Sequence, residues 1–335
     1  MREKMRYSTS YCKPLSLTIL IIILFGCSGG KEHKEIHLIK DLEIGEYSGD
    51  ERYVFSMIPD IALDSNDNIY ILDRMNFRIL KFDTNGNYKD CIKIGKGQGP
   101  SEVTLIYSIA VTQNGKIYIF DKNTRKVIIF DNSGNFSNSF IVDFYSTFIL
   151  AASSENVIIL GLRKEQIFHV FSPSGKHLDS FGKPFRIPQK FAQYEGFPHI
   201  RIPLRADYSR NNRIYLVNPH KYEIKIFKDR QLKYTIDHLC EEFSPLELKV
   251  HDKKTGTVGI SYPTVTVLEH KDRLYVTLKK FGENTTHTMH IFENRKYTTS
   301  LKVNGYAYAI DKKGRLYFSE EGNYPKMIRY LVSED

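Results

Sequence analysis

From residue 59 onward the chain alternates short apolar runs with polar turns, and the runs recur in groups. Residues 59–86 read PDIALDSNDNIYILDRMNFRILKFDTNG. This is an apolar strand, an Asp/Asn turn, a second strand centred on Ile69-Tyr70-Ile71, a polar loop after Asp73, a third strand ending Phe82-Asp83, and a turn at Asn85-Gly86. Residues 109–134 repeat the pattern as IAVTQNGKIYIFDKNTRKVIIFDNSG. More diverged copies begin at Ile149, Ala206, Val265 and Tyr308. Helical periodicity is nearly absent.

Two markers count the copies independently. Second strands centre on Tyr70, Tyr118, Ile158, Tyr215, Tyr275 and Tyr317, and third strands carry Phe82, Phe130, Phe171, Phe227, Phe292 and Tyr330. The spacing between markers is twelve or thirteen residues in every unit except the fifth, which is lengthened around residues 282–286. A period of about 40 to 60 residues with three or four strands per unit fits a propeller blade, whereas the rungs of an open β-solenoid are shorter. The last unit runs out of chain after its third strand. Residues 36–44 (IHLIKDLEI) alternate apolar and polar and are free to supply the missing outer strand. The predicted fold class is all-β: a six-bladed β-propeller whose ring is closed by the N-terminal strand completing the last blade. Residues 36–335 form that single domain.

The segment before it reads as an address. Arg2, Lys4, Arg6 and Lys13 precede an apolar run from Leu15 to Phe25, which is too short to span a bilayer and has the layout of an export signal. Leu24-Phe25-Gly26-Cys27 resembles a lipobox, although Phe25 departs from the small residue that pattern favours. The resemblance implies a signal peptide over residues 1–26, lipidation of Cys27, and a flexible tether over residues 27–35. The mixed charge of Lys31-Glu32 and Lys34-Glu35 leaves periplasmic and surface placement both open.

Pro59, Ile61-Ala62-Leu63-Asp64, Ile69-Tyr70-Ile71, Asp73, Asn76, Arg78-Ile79, Phe82-Asp83 and Gly86 resemble an NHL-type propeller repeat. With the lipobox, the chain resembles the six-bladed β-propeller lipoproteins of Bacteroides-type bacteria. That resemblance implies a cell-envelope location, anchored by lipid and facing outward from the outer membrane or into the periplasm. It is nearly silent on activity, because propellers host binding modules, lyases, hydrolases and scaffolds alike.

Charge and cysteine usage narrow the picture. The formal net charge of +9 contains +3 from residues 1–26, and the remaining +6 is spread over the blades apart from a cluster at residues 186–205. Nucleic acid is therefore not an expected partner. Cys12 leaves with the signal and Cys27 takes lipid, so Cys91 and Cys240 remain as two small buried hydrophobes rather than a disulfide framework.

Candidate chemistry is sparse. The glycine run at residues 95–99 lacks a following helix and suits a tight passage between blades better than a phosphate loop. Asp64-Ser65-Asn66-Asp67-Asn68 is oxygen-rich, but its place at a hairpin turn predicts Asx-turn bonding rather than calcium. Asp73 and Asp121, followed by Arg78 and Arg125, predict contacts within the blade to backbone or arginine. His287 and His290 stand three apart on a strand and so face opposite sides, which argues against shared coordination. No metal ligands and no cofactor are assigned.

The strongest lead is two long connections, residues 183–205 and 241–263, on the face where propeller loops bind partners. The first carries Arg186, Lys190, Tyr194, His199, Arg201 and Arg205, an aromatic and basic set suited to a protein or carbohydrate ligand. The expected function is a ligand- or protein-binding module at the envelope, and an enzyme is not the favoured reading. The alternative is a channel-centred hydrolase or lyase, for which a divalent metal would be expected.

Overall fold

A computed structural model describes residues 35–151, 155–252, 257–263, 265–280, 286–320 and 322–334. The signal segment, Cys27, nearly all of the tether and most of the fifth-unit insertion lie outside the described residues.

Six four-stranded antiparallel sheets surround a central channel. Blade 1 is Asp60–Leu63, Ile69–Asp73, Arg78–Phe82 and Tyr88–Lys93. Blade 2 is Ile106–Val111, Ile117–Asp121, Lys126–Phe130 and Phe136–Ile141. Blade 3 is Tyr145–Ala151, Val157–Arg163, Gln166–Phe171 and His177–Phe181. Blade 4 is Asp207–Tyr208, Arg213–Val217, Glu223–Lys228 and Gln231–Asp237. Blade 5 is Val265–His270, Arg273–Lys280, Thr286–Glu293 and Lys296–Val303.

Blade 6 takes three strands from the C-terminus, Tyr306–Ile310, Leu316–Glu320 and Lys326–Glu334, and its outer strand from Ile36–Ile44. The closing strand runs antiparallel to the last, from Ile36 opposite Glu334 to Ile44 opposite Met327, with a register shift between Lys40 and Leu42. Asp41 sits in that shift, and its carboxylate accepts from Nε and Nη2 of Arg329 at 2.9 and 3.0 Å. The ring is thus closed as the alternation of residues 36–44 predicts.

The core is six interblade clusters, one per neighbouring pair. The repeated aromatics supply it: Tyr70, Phe82, Tyr118, Tyr215, Phe292 and Tyr317 are all at most 1% exposed. Tyrosine suits the second-strand position because its ring fills the interface while its hydroxyl reaches a turn. The Tyr317 hydroxyl donates to Asp311 at 3.1 Å, and that of Tyr70 sits 3.4 Å from Asp64. Tyr330 differs, being half-buried with its ring edge-on to Phe318.

Hairpin turns repeat one device. Asp64 Oδ1 accepts from the backbone N–H groups of Asn66 and Asn68 at 2.8 and 3.0 Å, and Asp83, Asp131 and Asp311 do the same two and four residues on. These side chains satisfy turn backbone that would otherwise lack partners. The oxygen-rich stretch at residues 64–68 is therefore accounted for as a turn.

The two long connections break the repeat. The first contains short 3-10 turns at Gln189–Tyr194 and Pro198–Ile200, and the second a hairpin of Glu247–Asp252 with Thr257–Ser261. They pack on each other through Phe191, Ile200 and Leu246. Leu246 N–H donates to Pro219 O at 2.7 Å, and His220 Nε2 lies 2.7 Å from Ile200 O, so this canopy rests on the loop joining the second and third strands of blade 4. Among the described residues, no helix is long and apolar enough to cross a membrane.

Candidate functional site

Arg205 is the last residue of the first long connection, and it turns into the channel instead of outward. Its Nε donates to Asp207 Oδ1 at 2.7 Å and its Nη1 to Asp60 Oδ1 at 3.0 Å. Its guanidinium stacks 4.6 Å from the Phe148 ring centre and 4.9 Å from that of Tyr308. Asp60 Oδ2 also accepts from Ile109 N–H at 3.0 Å, and Asp207 Oδ2 from Val267 N–H at 2.8 Å. One residue from each of the six blades therefore meets in a single assembly across the axis.

Electrostatics explain why an arginine is tolerated there. Desolvation, the largest single influence, opposes the charge, but Asp207 and Asp60 together outweigh it and hold the guanidinium above its ordinary value. Burial pushes the Asp60 and Asp207 carboxyls up, while Arg205 and the backbone N–H donors pull them back. Planar bidentate geometry suits Arg for such a role where Lys would serve one carboxylate at a time.

Arg205, Phe148 and Tyr308 form a shared wall between two chambers. The lower one, about 480 Å³, is lined by inner-strand apolar residues and the turns of blades 1, 2, 4 and 6. Arg210 reaches Asp67 across its mouth. The upper one is larger, about 780 Å³, and its lining includes Arg74, Tyr107, Lys279, Tyr306, Glu320 and Lys326. Burial raises the Glu320 carboxyl, which accepts from Tyr330 hydroxyl at 2.7 Å.

The rim of the upper chamber concentrates cations on an aromatic. Arg74 and Lys122 lie 5.5 and 4.4 Å from the Tyr107 ring centre. Burial lowers both from their ordinary values, and Arg74 lowers Lys122 further. His199, edge-on to Tyr145 at 4.3 Å, is likewise lowered by burial and by Lys122. Among the described residues no carboxylate makes an ion pair with Lys122. An anion bound here would relieve the repulsion between these groups.

Of the six residues expected to form a ligand face, Arg205 enters the channel and His199 stands near its rim. Of the six, only Arg205 is among the residues lining the cavity. Arg201 forms a two-pronged ion pair with Glu165, Lys190 lies over Phe191 at 4.8 Å, Tyr194 packs edge-on to Phe197, and Arg186 is exposed. Sequence reasoning missed Arg74 and Lys122, which sit in ordinary blade loops, and Tyr107, which sits in the inner strand of blade 2. A carboxylate at the start of the inner strand in blades 1 and 4 alone, Asp60 and Asp207, was the available signal for the clamp.

The remaining motifs resolve locally. Asp73 accepts from Ser56 N–H at 2.9 Å and from Arg78 Nε at 2.9 Å, whereas Asp121 accepts from Thr104 N–H at 2.7 Å and, among the described residues, from no arginine. The strand register places Lys126, not Arg125, opposite Asp121, and Lys126 Nζ donates to Gly99 O at 2.6 Å. The glycine run accommodates the chain's own carboxylate, with Gly99 N–H donating to Glu102 Oε2 at 2.8 Å. Cys91 and Cys240 are free thiols but only half-buried. His287 packs on Tyr306 and His290 beside His238, as opposite strand faces require. Asp60 and Asp207 are taken up by Arg205 and backbone donors, so a channel-centred enzyme draws no support from that pair.

Comparison with known proteins agrees with this architecture. No curated protein sequence matches the chain. A Bacteroides fragilis protein predicted to be exported superposes with a TM-score of 0.58 at 12% identity, covering 91% of this chain and 96% of the other. A Bacteroides vulgatus protein of the DUF4221 family gives 0.58 at 9% identity, covering 91% and 100%. A streptogramin B lyase gives 0.53 at 10% identity, covering 89% and 98%. At these identities the likeness carries the fold alone. The sequence profile described as DUF5128, 6-bladed beta-propeller, matches residues 50–319, and the chain belongs to that family.

Proposed function

We propose that this protein is an exported, lipid-anchored propeller that binds a small anionic ligand, an acidic saccharide in particular, at the upper mouth of its channel. The observation that carries the reading is the cation pair Arg74 and Lys122 flanking Tyr107, desolvated and, among the described residues, without a carboxylate paired to Lys122, with Arg74 and Tyr107 lining the 780 Å³ chamber. Aromatic faces suit sugar rings, and desolvated cations attract carboxylate or sulfate groups. Arg205 floors the chamber, and the ends of the two long connections, Pro203, Leu204 and Pro263, line it, so the first connection contributes through its end rather than its exposed middle. The NHL-like repeats and the lipobox-like sequence at Cys27 support a lipoprotein of the outer membrane.

A glycan array tests the ligand class. Acidic glycans should bind more tightly than their neutral counterparts, with affinity falling as salt rises. Replacing Arg74 and Lys122 with Ala should weaken binding at least tenfold. Equal binding of neutral and acidic glycans, or no effect of the double substitution, would overturn the reading. For the anchor, Cys27→Ala should release the protein from the membrane fraction.

A further inference from the structure

The geometry points to a second, separate site: Cys240, Glu242 and His290 form a binding site for a zinc-type divalent cation between blades 4 and 5. One ligand atom from each lies within 4.8 Å of the other two. Cys240 and Glu242 follow the outer strand of blade 4, and His290 is carried by the third strand of blade 5. Their convergence is therefore a product of the ring and not of local chain geometry.

His290 supplies the independent argument. It is 2% exposed, yet its Nδ1 is buried without a hydrogen-bond partner. A bare buried nitrogen is unfavourable unless something occupies it. Its ring neighbours are Tyr222 at 5.5 Å, Tyr297 at 5.5 Å and His238 at 5.8 Å, which hold the imidazole rather than bond Nδ1.

The donor set selects the ion. Thiolate, imidazole and carboxylate together suit zinc, whereas calcium and magnesium prefer all-oxygen sites. Zinc takes these ligands at about 2.0–2.3 Å in a tetrahedron, so modest rotamer changes draw the three donors in. A water or His238 completes the fourth position. Binding expels the Cys240 thiol proton to solvent and leaves the thiolate on the metal. The ion ties the start of the 241–263 connection to blade 5.

Cobalt(II) is the probe, added to the metal-stripped full chain. The site predicts one equivalent of tight binding, a thiolate-to-cobalt charge-transfer band, displacement by zinc, and a higher melting temperature with zinc present. Cys240→Ser should abolish the band and Cys91→Ser should leave it. Because His290 is buried and its replacement endangers folding, the half-exposed Glu242→Gln serves as the second ligand variant. It should weaken zinc affinity at least tenfold with the circular dichroism of the apoprotein unchanged. Absence of the band in the unsubstituted protein, or its persistence in Cys240→Ser, would overturn the assignment.

Discussion

Arg205, at the end of the connection that leads into blade 4, donates across the channel axis to Asp60 of blade 1, on the opposite side of the ring, at 3.0 Å. Asp207 holds the same guanidinium from its own blade at 2.7 Å. The ring is therefore held across its diameter by a charge triad with two buried carboxylates as well as by packing between neighbours.

Removing the cation should be costly. Arg205→Met leaves two buried carboxylates facing each other, and breaking such pairs typically destabilises by about 3 to 5 kcal/mol. Urea unfolding should show that loss, and adding Asp60→Asn with Asp207→Asn should recover part of it. A midpoint unchanged in Arg205→Met would contradict the clamp.

The closing strand depends on a buried arginine of its own. Arg329 is 5% exposed and binds Asp41 through two nitrogens. Asp41→Ala should lower stability by about 2 kcal/mol, and amide exchange should rise first in residues 36–44.

Acid sensitivity should track His169. It is fully buried, with Nδ1 2.8 Å from Ser180 Oγ and its ring 4.4 Å from Phe144. Burial first, then the neighbouring His177, lowers it to about 4. The unfolded state, with an ordinary value near 6.5, binds the proton more readily, so the stability contribution is complete above about pH 6.5 and is lost as pH falls towards 4. The loss amounts to about 3 kcal/mol by pH 4. His169→Gln should flatten the stability profile in that window, and an equally steep profile in the variant would assign the acid response elsewhere.

Gly305 lines the upper chamber with φ +108°, and a Cβ there would collide with the Ser319 carbonyl oxygen. Gly305→Ala should cost about 2 kcal/mol or more, from backbone strain and displacement of the second strand of blade 6. Thermal melting of the variant measures it.

Much of this was legible in the chain. The Tyr and Phe markers count the blades because five of the six second strands bury a tyrosine ring at an interblade interface, and the Asp-led turns follow from bonds two and four residues long. The functional geometry was less accessible. Arg205 lay among exposed cations in one connection, and its partner Asp60 is 145 residues away. Cys240 and Glu242 are half-buried loop residues that become a cluster only with His290 from the next blade.

Local periodicity and turn chemistry are properties of neighbouring residues, so the sequence by itself determined six blades, their strands and the closing role of residues 36–44. Which charges face the axis, which aromatic carries two cations, and which thiol meets which imidazole depend on where ring closure brings distant segments. Those were decided by the tertiary structure alone, because buried charges and bare nitrogens acquire their energies only once solvent has been excluded around them.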